Sequence, residues 1–269
     1  MIDAHTHIGL CEEGVGWDSS DLSEGVEPAA PALRGLDAVN PGDMAFQEAV
    51  AAGITTVGVA PGSDAVIGGS CVAIKTHGRV LHEMLLREPC GLKIAFGRNP
   101  QFHFREQKKY PSTRMGVAAV LREKLTEARN YARKRERAHH DPEQFCETDL
   151  ALEVLCRMLR REFPARVHVA NAEDIATVLR IAHEFGFDVV LDHVTEGHLV
   201  SSLLAERHVP CVVGPMMVAG KSPQTRNLTF RTPAALAREG VPVALTTDHP
   251  VIPLKLLPLQ AALAVKAGL

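Results

Sequence analysis

A chain of 269 residues, 46% apolar and 23% charged, is long enough for one large domain with a sizeable core, and its composition excludes the disordered and fibrous classes. A formal net charge of −3 gives no reason to expect a nucleic-acid partner. Six scattered cysteines without a C-x-x-C pair, no apolar run of bilayer length and no leader-like opening argue against a disulfide scaffold, a membrane span and secretion; the expected setting is the cytoplasm.

Short apolar runs alternate with helical patterns, the signature of β-α units that build a parallel sheet. The first strand, at residues 2–7, carries Asp3, His5 and His7 in alternation, so the three side chains share one face, which in a barrel is the interior. Asp43 is placed to cap a helix from Met44 to Ala52, with Gly53 as its stop. Runs at 54–60 and 71–75 predict the second and third strands. Only Pro61 to Ser70 separates them, shorter than the dozen or so residues of a parallel crossover, which makes the third strand the weak point of the pattern. Pro61-Gly62-Ser63 and Gly68-Gly69 lack the order of a dinucleotide or phosphate loop and predict a flexible turn at a site rim. The fourth strand, at 92–97, precedes an insertion over residues 100–165. This holds a long charged helical pattern from about Thr113 to Ala138 and a second from Thr148 to Glu162. Its basic run, Arg133, Lys134, Arg135 and Arg137 broken by Glu136, reads as a solvated helix face. The remaining strands fall at 166–170, 188–193, 210–213 and 242–247. Between the fifth and sixth, Ile175, Val178, Leu179 and Ala182 lie on one helical stripe, Glu173 and Arg180 face water, and Gly186 ends the helix. Eight strands in this order favour a closed (β/α)8 TIM-like barrel over an open doubly wound sheet: one α/β domain over 1–269, with a helical insertion between the fourth and fifth strands.

Two imidazoles two residues apart on one strand, His5 and His7, can bite one metal ion. His168, His193 and Asp248 fall at or near the carboxyl ends of predicted strands, where barrel enzymes build their active sites. Four histidines and a carboxylate converging there suit a borderline divalent cation, zinc first, with manganese and iron(II) as alternatives. No G-x-S-x-G elbow and no cysteine signature supports covalent catalysis.

Met1 to Gly9, Pro61 to Gly69, Leu92 to Pro100, His168 to Asp174, Asp192 to His198 and Leu245 to Pro250 resemble, in order, the landmark segments of the amidohydrolase superfamily, nearest its imidazolonepropionase-like and prolidase-like branch. The resemblance covers essentially the whole chain. It implies metal ligation by His5, His7, His168, His193 and Asp248, and it matches Lys93 to the fourth-strand lysine that binuclear members carboxylate to bridge two cations. Lys75 competes for that place, because the strand count is least secure there. The implied chemistry is attack of metal-activated water on an amide or cyclic amide, a C–N bond other than a peptide bond, in a small-molecule substrate. Asp248 would act as general base and then acid, and His193 as a ligand or an electrophile. An Xaa-Pro dipeptidase-like peptidase is an alternative enzyme, and a catalytically silent metal-binding or structural barrel is the alternative of another class. The silent reading draws on Ala170, which stands where close relatives often carry a second histidine. Members also usually flank the barrel with a small β-sandwich; this chain opens at its first strand and stops about twenty residues beyond Asp248, so the expectation is a fragment of marginal stability. His198 and His249 are candidates for substrate contact or plain loop histidines. Specificity is expected from loops at 8–42 and 98–112, no nucleic-acid or membrane partner is expected, and a homo-oligomer is compatible with the sequence.

Overall fold

The computed structural model describes residues 1–13, 20–140, 145–219 and 222–269, with His140 by its backbone alone. Residues 14–19 of the expected specificity loop and 141–144 of the insertion lie outside the described residues. In chain order the elements are β1 (Ile2–Thr6), α1 (Met44–Ala51), β2 (Thr56–Val59), β3 (Ile67–Lys75), α2 (Leu81–Met84), β4 (Leu85–Ala95), α3 (Arg98–Glu106), α4 (Arg114–His140), α5 (Leu150–Leu159), β5 (Ala165–Val169), α6 (Ala172–Phe185), β6 (Val189–His193), α7 (Ser201–Glu206), β7 (Cys211–Val213), α8 (Thr232–Arg238), β8 (Val243–Leu245) and α9 (Leu257–Lys266).

The eight strands lie side by side in sequence order. β1 and β2 are parallel, and so are the successive neighbours from β4 to β8, whereas β3 is antiparallel to both β2 and β4. The reversed strand explains the short connection that strained the sequence pattern, since an antiparallel neighbour needs no crossover. It also moves Gly68 and Gly69 out of the expected rim turn and into β3. Gly69 adopts φ +115°, and a Cβ there would lie 2.7 Å from the Leu33 carbonyl oxygen, so the loop before α1 packs on a bare strand.

The seam between β8 and β1 is closed by side chains and one backbone hydrogen bond. Asp3 Oδ2 accepts from the Thr247 backbone N–H (3.2 Å) and hydroxyl (3.1 Å), Thr246 Oγ1 donates to the His5 carbonyl, and the His7 N–H donates to the His249 carbonyl at 2.9 Å. Burial raises the Asp3 carboxyl from 3.8 to about 6, against the pull of the His5 and Thr247 backbone donors.

Helices cover the outer face as their sequences dictate. Asp43 caps α1 by accepting from the Ala45 N–H at 3.0 Å, and α6 stops at Gly186, which takes the left-handed conformation at φ +68°. The α6 stripe of Ile175, Val178, Leu179 and Ala182 is buried, and Glu173 and Arg180 are exposed. Burying its three larger side chains contributes roughly 1.5–3 kcal/mol each, more than intrinsic helix propensity supplies. The insertion folds as α3, α4 and α5, with Tyr131 donating to Glu153 at 2.6 Å and the basic run of α4 exposed. Among the described residues, no helix is long and apolar enough to cross a membrane.

Candidate metal centre

The alternation of β1 sends His5 and His7 into the barrel, where both are buried. His7 Nδ1 lies 2.7 Å from the Ala60 carbonyl; a carbonyl only accepts, so the proton sits on Nδ1 and the Nε2 lone pair is left facing Asp248 Oδ1 at 3.3 Å. His193, the last residue of β6, repeats the arrangement by donating from Nδ1 to the Gly214 carbonyl at 2.8 Å. His5 Nε2 lies 3.3 Å from the same Asp248 Oδ1. The His168 ring, from β5, stands 4.3 Å from the His193 ring, and the His5 ring 5.0 Å from it. His5, His193 and Asp248 each offer one ligand atom, all within 4.8 Å of one another.

Two observations test whether a cation fits. Asp248 Oδ1 and His168 Nε2 are buried without a hydrogen-bond partner, which is costly unless something else engages them. The charges also leave room for one: Asp3, Asp192 and Asp248 are all buried in the barrel, Arg166 is a buried cation paired with Asp192, and burial pushes Lys93 down toward its neutral amine. Burial likewise lowers His7, lowers His168 well below the usual range with help from His193 and Lys93, and brings His193 to about 4, which favours the neutral imidazole that a cation needs. Burial would raise Asp248, but its histidine neighbours, His193 first, hold the carboxyl well below the ordinary range. The residues present therefore fit a divalent cation.

Beneath this cluster lies a layer that strand-by-strand reading did not assign. Arg166 of β5 donates from Nε (3.2 Å) and Nη2 (2.6 Å) to Asp192 Oδ1 of β6, and from Nη2 to the Ala4 carbonyl of β1 at 2.8 Å. Burial opposes the Asp192 charge, yet Arg166 and His5 hold its carboxyl well below the ordinary range. Asp192 Oδ2 lies 3.2 Å from His5 Nδ1. The sequence signal for this layer was the placement of Arg166 two residues before His168 and of Asp192 directly before His193.

The other expected residues separate clearly. Lys93 is fully buried on β4, with Nζ 3.4 Å from His5 Nε2. Lys75 is exposed and pairs with Thr56 at the start of β2, so the reversal of β3 carries it to the opposite mouth, and it does not take the Lys93 place. His198 Nδ1 is held by Thr232 Oγ1 at 2.9 Å. His249 is buried and accepts at Nδ1 from the Leu254 N–H at 3.3 Å. Ala170 is buried, its carbonyl accepting from the Glu196 N–H at 2.9 Å.

No protein-family model matches the chain. The chain is similar over its whole length to a solved structure described as an amidohydrolase from Thermotoga maritima, with a TM-score of 0.97, 45% sequence identity and 70% of that chain covered. It is also 24% identical over 293 residues to a curated protein named amidohydrolase tasK from Hapsidospora irregularis, a match that takes in 100% of this chain and 30% of that protein. The chain thus spans under a third of the length of this curated relative.

Proposed function

The chain belongs to the amidohydrolase family, and from that premise we propose that it is a metal-dependent hydrolase of amide-type C–N bonds other than peptide bonds, acting on a small molecule. The observation that carries the proposal is the gathering of His5, His7 and His193 around Asp248 at the carboxyl ends of β1, β6 and β8, with the His168 ring of β5 4.3 Å from that of His193 and with Asp248 Oδ1 and His168 Nε2 left unpartnered.

His5, His7, His168, His193 and Asp248 would hold the cation, zinc first and manganese or iron(II) as alternatives. Bound there, it would lower the pKa of a water from about 15.7 toward 7 and polarise the carbonyl. Asp248, ionised at neutral pH, takes the proton of the attacking water and returns it to the leaving nitrogen. His193, held neutral and fixed by Gly214, orients the carbonyl or serves as a further ligand. Lys93 beside His5 supports a site for two cations, since the neutral amine that burial favours is the form carbon dioxide carboxylates. The six cysteines are all free, which fits a cytoplasmic setting.

Metal analysis of the purified chain, with H5A and D248A beside it, tests the ligand set; full metal content in both variants would sink it. Cyclic amides, N-acyl amino acids and Xaa-Pro dipeptides, each with zinc or manganese, test turnover. A second reading, a metal-binding barrel without activity, is favoured by Ala170, whose methyl cannot orient a substrate. Tight metal binding with failure of every substrate would select it.

A further inference from the structure

We propose that Arg166 and Asp192 are positioning residues for His5: the guanidinium fixes the carboxylate, and the carboxylate keeps the imidazole proton on Nδ1, so that the Nε2 lone pair faces the centre. The inference rests on the metal-dependent reading above and extends it to residues that hold no cation themselves.

The geometry assigns each atom one task. Both guanidinium bonds fall on Asp192 Oδ1, which leaves Oδ2 for His5 Nδ1 at 3.2 Å. That contact is short but out of line for a full hydrogen bond, and neither atom has another partner. A carboxylate oxygen only accepts, so a proton on Nδ1 satisfies both atoms, whereas the other tautomer would turn a lone pair on a buried charge. Asp192 and His5 are fully buried, so the contact between them is sheltered from bulk solvent. Arg166 is fixed in turn by the Ala4 carbonyl on the strand that carries His5. A histidine ligand whose second nitrogen meets a carboxylate is the arrangement that orients the ring and strengthens its donor atom.

β4 is bare where Arg166 crosses it. A Cβ on Gly91 would lie 2.4 Å from Arg166 Cγ and 3.2 Å from the Pro164 carbonyl oxygen. G91A therefore displaces the guanidinium without removing any charge. A clamp that merely tied β1, β5 and β6 together would lower stability in such variants and leave the cation affinity of the folded protein unchanged.

The test uses the whole chain stripped of metal by a chelator, with zinc dissociation constants measured by competition with a chromogenic chelator. D192N, nearly isosteric, is expected to bind zinc about 10–100-fold more weakly than the unaltered chain, and G91A to be weakened in the same direction. A second readout is the imidazole 15N spectrum of metal-free, histidine-labelled protein at alkaline pH, with His5 assigned by its absence from H5A. The unaltered chain is expected to show the Nδ1–H tautomer at His5, and D192N to lose that preference. Should D192N fail to fold, G91A carries both readouts. Zinc affinity within about twofold of the unaltered chain in the folded variant, or an unchanged His5 tautomer, would overturn the positioning role. A chain that takes up no zinc at all would overturn the metal-dependent reading and this inference with it.

Discussion

Asp3 closes the barrel seam with a buried carboxylate, and its titration should be visible in stability. Its pKa rises from 3.8 in the unfolded chain to about 6 in the folded one, chiefly because burial disfavours the charge. Below pH 3.8 both states hold the proton. Between 3.8 and 6 the unfolded chain loses its proton first, so the folded state binds more protons and stability falls as pH rises. A shift of about two units corresponds to about 3 kcal/mol, fully lost above pH 6. Asp3→Asn removes the titration but also loses an acceptor for Thr247, whose N–H and hydroxyl both donate to Oδ2. That loss is a pH-independent cost of about 1–3 kcal/mol. Urea unfolding of metal-free protein from pH 4 to 7.5 should therefore find the variant less stable at the acid end, with the difference moving by roughly 2–3 kcal/mol in the variant's favour as pH rises, so that it vanishes or reverses. A gap constant within about 0.5 kcal/mol over that range would refute the assignment of the buried charge to Asp3.

Asp43→Ala removes the α1 cap and the acceptor for the Gly9 N–H, and should cost about 1–2 kcal/mol in urea unfolding. Ile175→Ala empties a fully buried place under α6 and should cost about 2–5 kcal/mol, while zinc taken up per folded molecule stays unchanged. Lys93→Met should cut the metal content of the purified chain, whereas Lys75→Ala, at the opposite mouth, should leave it as it was; elemental analysis reads both.

What the sequence makes legible follows from period and position. Alternation along residues 2–7 places His5 and His7 on one face, and the β-α order places His168, His193 and Asp248 at one mouth; both depend only on local geometry. Strand direction does not show in a hydrophobic run, and β3 betrayed its reversal only through a connection too short to cross over. The choice between Lys75 and Lys93 turned on that reversal. β4 begins at Leu85, earlier than its pattern suggests, because Pro89 interrupts the run; the proline is tolerated where β5 has not yet joined, since β5 pairs only from Leu92. The Arg166, Asp192 and His5 layer needs three strands brought round a closed barrel, and no window along the chain contains it.

The backbone at the mouth shows a cost that the ligand set imposes. His193, Val194 and Asp248 have φ of +75°, +47° and +55°, a region that costs a residue with a side chain about 1–3 kcal/mol. Two of the three are themselves candidate ligands. They stay there because their surroundings over-determine them: Gly214 holds the His193 ring, the Val194 N–H donates to Val169, and the Asp248 N–H donates to Thr246 Oγ1 at 2.9 Å. An aspartate tolerates this conformation better than most residues, which lets one position serve both as a turn and as an anion. If the φ at Asp248 is strained by its side chain, glycine should relieve what alanine cannot. D248G is therefore expected to be more stable than D248A by about 1 kcal/mol in the metal-free state, while both fail to retain the cation. Equal stability of the two variants in urea unfolding would show that the β8 end carries no such strain.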